Sequence, residues 1–329
     1  MMSSENQLTE LINLGAIQQM QGNFDVAEMY YNKASAINEQ NVTLLNNRGM
    51  LFYQQQNFAE AQAIFNKVIE LDNNNATGWL NLANTQVLLN NGEEALNAYK
   101  QSLKLRAQQF EAWEGLAKLY MLANDMASAE NCWQRAIDMG PGKPELLLGL
   151  AQVYLSLNKF IDALEVAQYV LTQNHQNTKA LQTAGLAHFM LKNYGLAIQY
   201  FRQYLGFIAG DTAVRNHLAV ALLQSGDLQA GAAEYETILK FDPENTEVRI
   251  NTGVLCLSFN RWGDALAHFD HVLQNDPSQN KAKLYRGIGL VSLNKKDEAR
   301  QVFEDLMQDK IGDWAAQAEK QLSLLNNLN

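Results

Sequence analysis

The sequence contains little proline and no long uninterrupted stretch of apolar residues. Four prolines in 329 residues favour a mainly helical chain, because proline is excluded from helix interiors. Residues 146–151 form one of the longest apolar runs and fall far short of the roughly 18 residues that a membrane span requires. The first residues, Met1 to Glu5, have neither a cationic flank nor an apolar core, so they do not resemble a signal peptide. These features predict a cytoplasmic protein without membrane insertion.

Basic residues are also in short supply. The chain has 25 lysines and arginines against 35 aspartates and glutamates, a formal net charge of −10 at pH 7. A nucleic acid or an anionic membrane surface needs a basic face on its partner, so neither is expected to bind. The deficit is uneven, because residues 1–165 carry a net charge of −8 and residues 166–329 carry −2. Apolar residues make up 47% of the chain, which is enough to bury a hydrophobic core.

A 34-residue internal repeat runs through almost the whole chain. Small residues recur at Gly15, Gly49, Ala83, Ala117, Ala151, Gly185, Ala219, Gly253 and Gly287. Sixteen positions after each of them, an aromatic residue stands in eight of nine repeats, at Tyr31, Phe65, Tyr99, Trp133, Phe201, Tyr235, Phe269 and Phe303. The period predicts nine repeats without an insertion, at residues 8–41, 42–75, 76–109, 110–143, 144–177, 178–211, 212–245, 246–279 and 280–313.

Each repeat has the pattern of two helices joined by a turn. Apolar residues recur at helical spacing, and Gly, Asn or Asp marks a break at mid-repeat, as at Gly22, Asn90, Asn124 and Gly226. The fourth repeat shows the fullest motif, with Trp113, Leu116, Ala117, Tyr120, Ala129, Trp133 and Pro141. This pattern resembles the tetratricopeptide repeat (TPR) family. The resemblance implies an all-α fold, in which helix–turn–helix repeats stack into a right-handed α-solenoid or superhelix.

The residues outside the nine repeats are expected to lie at the two ends of the stack. Residues 314–329 keep one apolar stripe at helical spacing. We therefore expect a C-terminal capping helix that covers the open apolar face of the last repeat. Residues 1–7 are expected to form a short frayed lead-in.

No arrangement of residues in the sequence points to catalysis or to a cofactor. A Gly-rich phosphate loop and a nucleophile elbow are both absent, so we expect a protein that is not an enzyme.

Cys132 and Cys256 lie four repeats apart. At roughly 10 Å per helix layer, that is about 40 Å, so free thiols are expected rather than a disulfide. Asp264, His268 and His271 have metal-ligand spacing on one helix face. Polar residues are expected on that outer face in any case, and we predict no metal site.

The resemblance places a concave groove along the first helices of the repeats. Counted from the start of each repeat, position 6 is asparagine in the first three, at Asn13, Asn47 and Asn81, and Asn84 lies nearby. An asparagine amide both donates and accepts hydrogen bonds, so this ladder can pair with the backbone of an extended peptide whatever its sequence. The alternative is that these amides are only solvated groove residues.

The second half of the chain carries apolar residues at groove positions. This stripe consists of Leu186, Phe189, Val220, Leu223, Ile250, Val254, Leu257 and Ile288. Exposed apolar patches of this extent usually mark a partner site, most naturally for an amphipathic helix or an extended peptide. Two alternatives stay open: neighbouring repeats bury the stripe, or a second copy of the chain covers it in a homodimer.

Together the groove features predict a non-catalytic protein–protein interaction scaffold that holds a partner polypeptide segment. The alternative function is a self-associating assembly factor of an envelope, pilus or secretion complex. Glu111, Glu114 and Glu145 make the middle of the groove acidic, which favours a partner with Lys or Arg beside its apolar anchor. Some TPR proteins grip a C-terminal carboxylate with basic residues. That mode is not expected here, since Leu80 and Gly115 occupy two of the required positions.

Overall fold

The computed structural model describes residues 3–140, 142–308 and 313–326. All regular secondary structure in these ranges is α-helical, as the sequence predicted. The helices are α1 (Ser4–Met20), α2 (Phe24–Ser35), α3 (Val42–Gln54), α4 (Phe58–Leu71), α5 (Ala76–Leu88), α6 (Gly92–Leu105), α7 (Phe110–Leu122), α8 (Met126–Met139), α9 (Pro144–Ser156), α10 (Phe160–Gln173), α11 (Thr178–Met190), α12 (Tyr194–Phe207), α13 (Thr212–Gln224), α14 (Leu228–Phe241), α15 (Thr246–Ser258), α16 (Trp262–Asn275), α17 (Asn280–Ser292), α18 (Lys296–Gln308) and α19 (Trp314–Asn326).

The helices pack in sequential pairs. Helix α1 packs on α2, and the same pairing recurs for α3/α4, α5/α6, α7/α8, α11/α12, α13/α14, α15/α16 and α17/α18. The second helix of a pair also packs on the first helix of the next pair, as α4 does on α5 and α12 on α13. The chain divides into two compact units, an N-terminal unit (Met1–Val166) and a C-terminal unit (Ala167–Asn329). No helix of the described residues combines the length and the apolar character needed to cross a membrane.

Polar side chains explain where many of the first helices begin. Asn41 Oδ1 accepts a hydrogen bond from the backbone N–H of Leu44 at 2.9 Å, which satisfies one of the donors that a helix N-terminus leaves unpaired. The same arrangement recurs at Asn75, Asn177, Asp211 and Asn245. Asn or Asp at this position thus sets the helix start in repeat after repeat.

One residue with a left-handed backbone separates the two helices of each repeat. These residues are Gly22, Gln56, Asn90, Asn124, Asn158, Lys192, Gly226, Asn260 and Asn294, with φ between 58° and 92°. Their 34-residue spacing means that every repeat turns at the same position. The break predicted at Gly, Asn or Asp is confirmed, and Gln56 and Lys192 adopt it although their residue types do not favour it.

In several repeats the recurring aromatic residue fills the space between the two helices. The rings of Phe65 and Phe269 are fully buried. A Cβ added to Gly49 would lie 2.6 Å from Phe65 Cε1, so the first helix needs a very small residue where the ring packs against it. Trp133 packs instead on Gly149 of the following repeat, where an added Cβ would lie 2.4 Å from the ring. The small residues of the 34-residue period therefore permit close helix packing.

The N-terminal boundary differs from the sequence-based expectation. Helix α1 begins at Ser4, within the segment 1–7 that we expected to be a frayed lead-in. Ser3 Oγ accepts the backbone N–H of Asn6 at 3.2 Å, which caps the helix before the first repeat begins. Some parts of these predictions lie outside the described residues. They are residues 1–2 of the expected lead-in, Pro141, residues 309–312 of the ninth repeat and residues 327–329 of the expected cap.

Helix α19 follows the last repeat and packs on both α17 and α18. Its Leu325 is 1% exposed and joins a hydrophobic cluster with Phe303 and Leu306 of α18. Ala318, two turns earlier, is also fully buried in this cluster. The apolar stripe of 314–329 therefore contacts the last helix pair.

Candidate functional site

The predicted asparagine ladder lies on consecutive first helices of the N-terminal unit. Asn13 is on α1, Asn47 on α3, and Asn81 and Asn84 on α5, and these helices contact one another in series. Asn13 is exposed, Asn47 and Asn84 are half-buried, and Asn81 is 8% exposed. The structure thus brings the four amides to neighbouring helices but leaves Asn81 little surface for a partner.

Two of these amides interact with tyrosine hydroxyls inside the protein. The Tyr99 hydroxyl donates a hydrogen bond to Asn84 Oδ1 at 2.6 Å. The Tyr31 hydroxyl donates to Gln19 Oε1 at 2.7 Å, and the Asn47 side chain lies close enough to interact with the same hydroxyl. Burial raises the pKa of Tyr31 to about 12, and the interaction with Asn47 opposes that rise. Asn84 therefore satisfies a tyrosine hydroxyl in the core, a role that competes with peptide binding.

The predicted apolar stripe lies on α11, α13, α15 and α17 of the C-terminal unit. Its half-buried members are Leu186, Phe189, Val220, Leu223, Val254, Leu257 and Ile288. Part of their surface packs on the core, as Val254 and Leu257 do against the cluster that holds Phe269. Neighbouring repeats therefore cover the stripe only in part, and each of these side chains keeps some contact with solvent.

Ile250 does not share this exposure. Its side chain is 3% exposed and belongs to a buried cluster with Cys256 and Phe269. Leu284, at the same position of the next repeat, is also buried. Contrary to the sequence-based prediction, Ile250 has almost no surface to offer a partner, because this position of the first helix faces the packed core.

A histidine lies among the stripe residues. His217 of α13 stacks on Phe189 with 5.7 Å between the ring centroids and meets Phe201 edge-on at 6.0 Å. Burial lowers the pKa of His217, and the negative charge of Asp211 opposes this shift. The imidazole is therefore neutral near pH 7 and extends the aromatic surface of the stripe.

Two of the three residues with metal-ligand spacing lie beside oppositely charged or acidic side chains. Asp264 Oδ2 lies 2.7 Å from Arg261 Nε, and His271 Nε2 lies 3.4 Å from Glu244 Oε2. Burial lowers the pKa of His268, the third residue of this set. Across the described ranges, no group of three or more His, Cys, Asp or Glu side chains could hold a metal ion.

The two cysteines are free and buried. Burial raises the pKa of Cys132 to about 11 and also raises the pKa of Cys256. Because the thiolate is the reactive form, neither side chain has the character of a catalytic nucleophile. Both act as small apolar residues of the helix interfaces.

The acidic residues expected in the middle of the groove lie in the N-terminal unit. Glu111 and Glu145 are exposed at the beginnings of α7 and α9. Glu114 Oε1 instead accepts a 2.6 Å hydrogen bond from Lys118 Nζ, one helical turn later. Glu111 and Glu145 are therefore the members of this group that face solvent.

The sequence-based interpretation missed the most exposed apolar side chains. Met20, at the end of α1, and Leu122, at the end of α7, are each 79% exposed. Leu88, at the end of α5, is also exposed. All three occupy the last position of a first helix, with 68 residues from Met20 to Leu88 and 34 from Leu88 to Leu122. A comparison of that single position across the repeats would therefore have found them. Apolar exposure at the helix ends is thus strong in the N-terminal unit and does not simply increase toward the C-terminus.

A cavity of about 390 Å³ opens beside Leu122. It lies between the last turns of α5 and α7 and the first turns of α6, with Val87, Leu96 and Leu119 among its lining residues. The lining is mainly apolar, and Glu93 supplies a carboxylate. The volume falls within the range of ligand-binding pockets.

Two family models, both described as tetratricopeptide repeat, match this sequence. One matches residues 52–119, and the other matches residues 17–76, 123–178, 148–214, 216–280 and 257–313. The chain belongs to the tetratricopeptide repeat family. The TPR matches extend over most of the chain, in agreement with the sequential helix pairs and the 34-residue spacing of the turns.

Solved structures share the TPR fold at low sequence identity. A tetratricopeptide repeat protein from Parabacteroides merdae has a TM-score of 0.57 and 16% identity, covering 76% of this chain and 98% of that one. The pilF protein of Pseudomonas aeruginosa has a TM-score of 0.56 and 16% identity, covering 63% and 99%. A chain of the APC/C hetero-tetramer Cut9–Hcn1 has a TM-score of 0.56 and 17% identity over 81% of this chain, which spans about half (52%) of that chain's length. A comparison with curated proteins found no match.

Proposed function

We propose that this TPR chain is a non-catalytic scaffold that binds a partner polypeptide segment along the first helices of its repeats. The observation that carries the proposal is the stripe on α11, α13, α15 and α17, where seven apolar side chains stay partly exposed. Apolar surface in contact with water costs free energy that a partner recovers by covering it. A series of such residues on successive first helices therefore favours a binding surface.

The stripe favours a segment that contacts several of its residues together. Complete burial of a Val, Leu or Phe side chain is worth about 1.5–3 kcal/mol, and folding has already gained part of that value here. The free energy that remains to be gained must exceed the free-energy cost of the freedom that the partner loses on association. One anchor residue is therefore not enough, and an amphipathic helix or an extended peptide suits the surface best.

The asparagines of the N-terminal unit contribute unequally to this proposal. Asn13 exposes its amide, which suits it to pair with a peptide backbone. Asn84 must first release the Tyr99 hydroxyl, Asn47 is half-buried beside the Tyr31 hydroxyl, and Asn81 has little surface. We therefore rank Asn13 first among the predicted amide contacts.

A photo-crosslinking amino acid at position 220 of the full-length chain tests the proposal. We expect it to capture a partner peptide, and we expect the double substitution Val254→Glu with Leu257→Glu to remove that adduct while the far-UV circular dichroism of the helices is retained. The matched control is Leu228→Glu with Phe241→Glu, which places two charges at exposed apolar positions of α14. An adduct of equal yield in both double variants contradicts the proposal.

Self-association is distinguished in the same experiment. If the captured peptide comes from this chain itself, and light scattering shows a mass that rises with protein concentration, a second copy is the occupant of the stripe. That result contradicts binding of a separate partner and supports the self-associating alternative.

A further inference from the structure

The cavity beside Leu122 differs from the stripe in both position and charge. It belongs to the N-terminal unit and opens where α5 and α7 end at their turns. Leu122 projects at its edge with 79% of its surface exposed, and exposed Leu88 ends the neighbouring first helix. A mainly apolar cavity next to two exposed leucines is surface that the fold itself leaves uncovered.

Acidic residues outnumber basic residues in the two segments that enclose this cavity. Segments 86–97 and 118–130 contain four acidic residues and one basic residue. The basic residue, Lys118, is bonded to Glu114, and Glu130 is bonded to Lys159 at 2.8 Å. The other three acidic residues of these segments are Glu93, Glu94 and Asp125, and all three are exposed.

The position of these acids is partly explained by helix stability. Glu93 and Glu94 lie in the first turn of α6, where negative charge interacts favourably with the helix dipole. Asp125 caps α8 by accepting the N–H of Ser128 at 3.1 Å, and these hydrogen bonds lower the pKa of its carboxyl. Helix stability does not require an apolar cavity or an exposed leucine beside them, and those features need a separate explanation.

We propose that the cavity, Leu122 and the three carboxylates form a second docking surface, for a polypeptide segment that presents a large apolar side chain flanked by Lys or Arg. The apolar side chain enters the cavity and covers Leu122, and the basic groups pair with Glu93, Glu94 and Asp125. This surface is distinct from the stripe and does not depend on it.

Charge distinguishes this occupant from the other possible ones. A second copy of the chain that docked the same surface against itself would bring two acidic regions together, because residues 1–165 carry a net charge of −8. An anionic membrane is repelled for the same reason. A basic amphipathic segment matches both the apolar and the acidic features.

A fluorescein-labelled amphipathic peptide, with leucine on one face and lysine on the other, is the probe. Its fluorescence anisotropy is measured as the full-length chain is added. We expect binding that weakens about tenfold on Leu122→Ser and again on Glu93→Gln with Glu94→Gln, since each change removes one part of the complementarity. Met20→Ser, which alters an equally exposed side chain at the end of α1, and Glu111→Gln are matched controls expected to leave the affinity unchanged.

Two altered peptides separate apolar docking from general attraction between opposite charges. A peptide with its leucines replaced by serine, and one with its lysines replaced by glutamate, are both expected to lose binding. Equal affinity of the serine peptide, or of the Leu122→Ser chain, overturns the proposal. So does a loss of affinity caused by Val254→Glu with Leu257→Glu, because the peptide would then occupy the stripe. Failure at Leu122 alone leaves the function proposed for the stripe untouched.

Discussion

At the turn inside each repeat, the free-energy cost of the turn depends on the one residue that adopts positive φ. Seven of the nine turn residues are Gly or Asn, which tolerate positive φ. Gln56 and Lys192 hold φ of 63° and 61° with side chains that do not favour this conformation. Their backbone N–H groups still make the bonds that close the helix, as Lys192 does to the carbonyl of Phe189 at 3.0 Å.

Lys192→Gly is therefore expected to stabilise the protein. Glycine removes the clash between Cβ and the backbone, and we expect the free energy of unfolding to rise by about 1 kcal/mol. Urea unfolding followed by circular dichroism measures the change. Lys100→Gly, at an exposed position inside α6, is the control and is expected to lower stability by about 1 kcal/mol. A shift in the same direction for both variants contradicts the explanation.

Individual residues also show which features the sequence can predict and which it cannot. Glycine and asparagine reveal a turn by their own chemistry, whereas Lys192 is found only through the 34-residue period. The period placed Asn47 and Asn84 on first helices correctly. It could not show that the Tyr99 hydroxyl bonds to Asn84 or that the Tyr31 hydroxyl lies beside Asn47, because such contacts depend on how closely the helices pack. For the same reason Ile250 was expected at the surface and is buried.

At the scale of helices, one hydrogen bond recurs near the start of several first helices. A side chain at position 4 of the repeat donates to the backbone carbonyl six residues earlier, in the turn that joins two repeats. The pairs are Trp79 with Asn73, Trp113 with Ala107, Arg215 with Ala209 and Arg249 with Pro243. Tryptophan and arginine thus donate the same hydrogen bond, although the two residue types have different side-chain chemistry.

Replacing Arg249 tests whether this hydrogen bond fixes the turn. Arg249→Leu keeps an apolar stem but removes the donor, and the free energy of unfolding is expected to fall by about 0.5–1.5 kcal/mol. Arg249→Trp restores a ring N–H like that of Trp79 and is expected to match the parent chain. Thermal unfolding of the three proteins gives the comparison. Equal stability of the Leu and Trp variants would show that packing, and not the donated hydrogen bond, holds the turn.

For the molecule as a whole, the 34-residue period predicted the fold far better than the binding surfaces. Repeats with the same core chemistry must pack alike, so the helix pairs follow from residues such as Gly49 and Phe65. Binding surfaces depend on the positions at which repeats differ. Leu122 can be found in the sequence by comparing the last position of the first helices, but the cavity beside it appears only once the helix ends and turns are placed in three dimensions.

The chain of repeats also makes stability local. Each repeat packs mainly on its neighbours, so a defect is expected to open the nearest helices first. The last pair, α17 and α18, has α19 as its neighbour on the C-terminal side. Leu325 and Ala318 of α19 are buried against this pair, which supports the proposal that α19 caps the stack.

Leu325→Asp tests the cap and the local nature of stability together. The change removes a buried leucine and places a charge in an apolar cluster, which is expected to cost at least about 2 kcal/mol. Amides of α17 and α18 should then exchange hydrogen about thirtyfold faster, at 1.4 kcal/mol for each factor of ten, while those of α13 and α14 keep their protection. Hydrogen exchange read by mass spectrometry resolves these helices.

Leu324→Asp, at a neighbouring position that is 51% exposed, is the matched control and is expected to leave exchange unchanged. Faster exchange throughout the C-terminal unit would mean that the repeats unfold as one block, and no change at α17 and α18 would mean that α19 is not their cap.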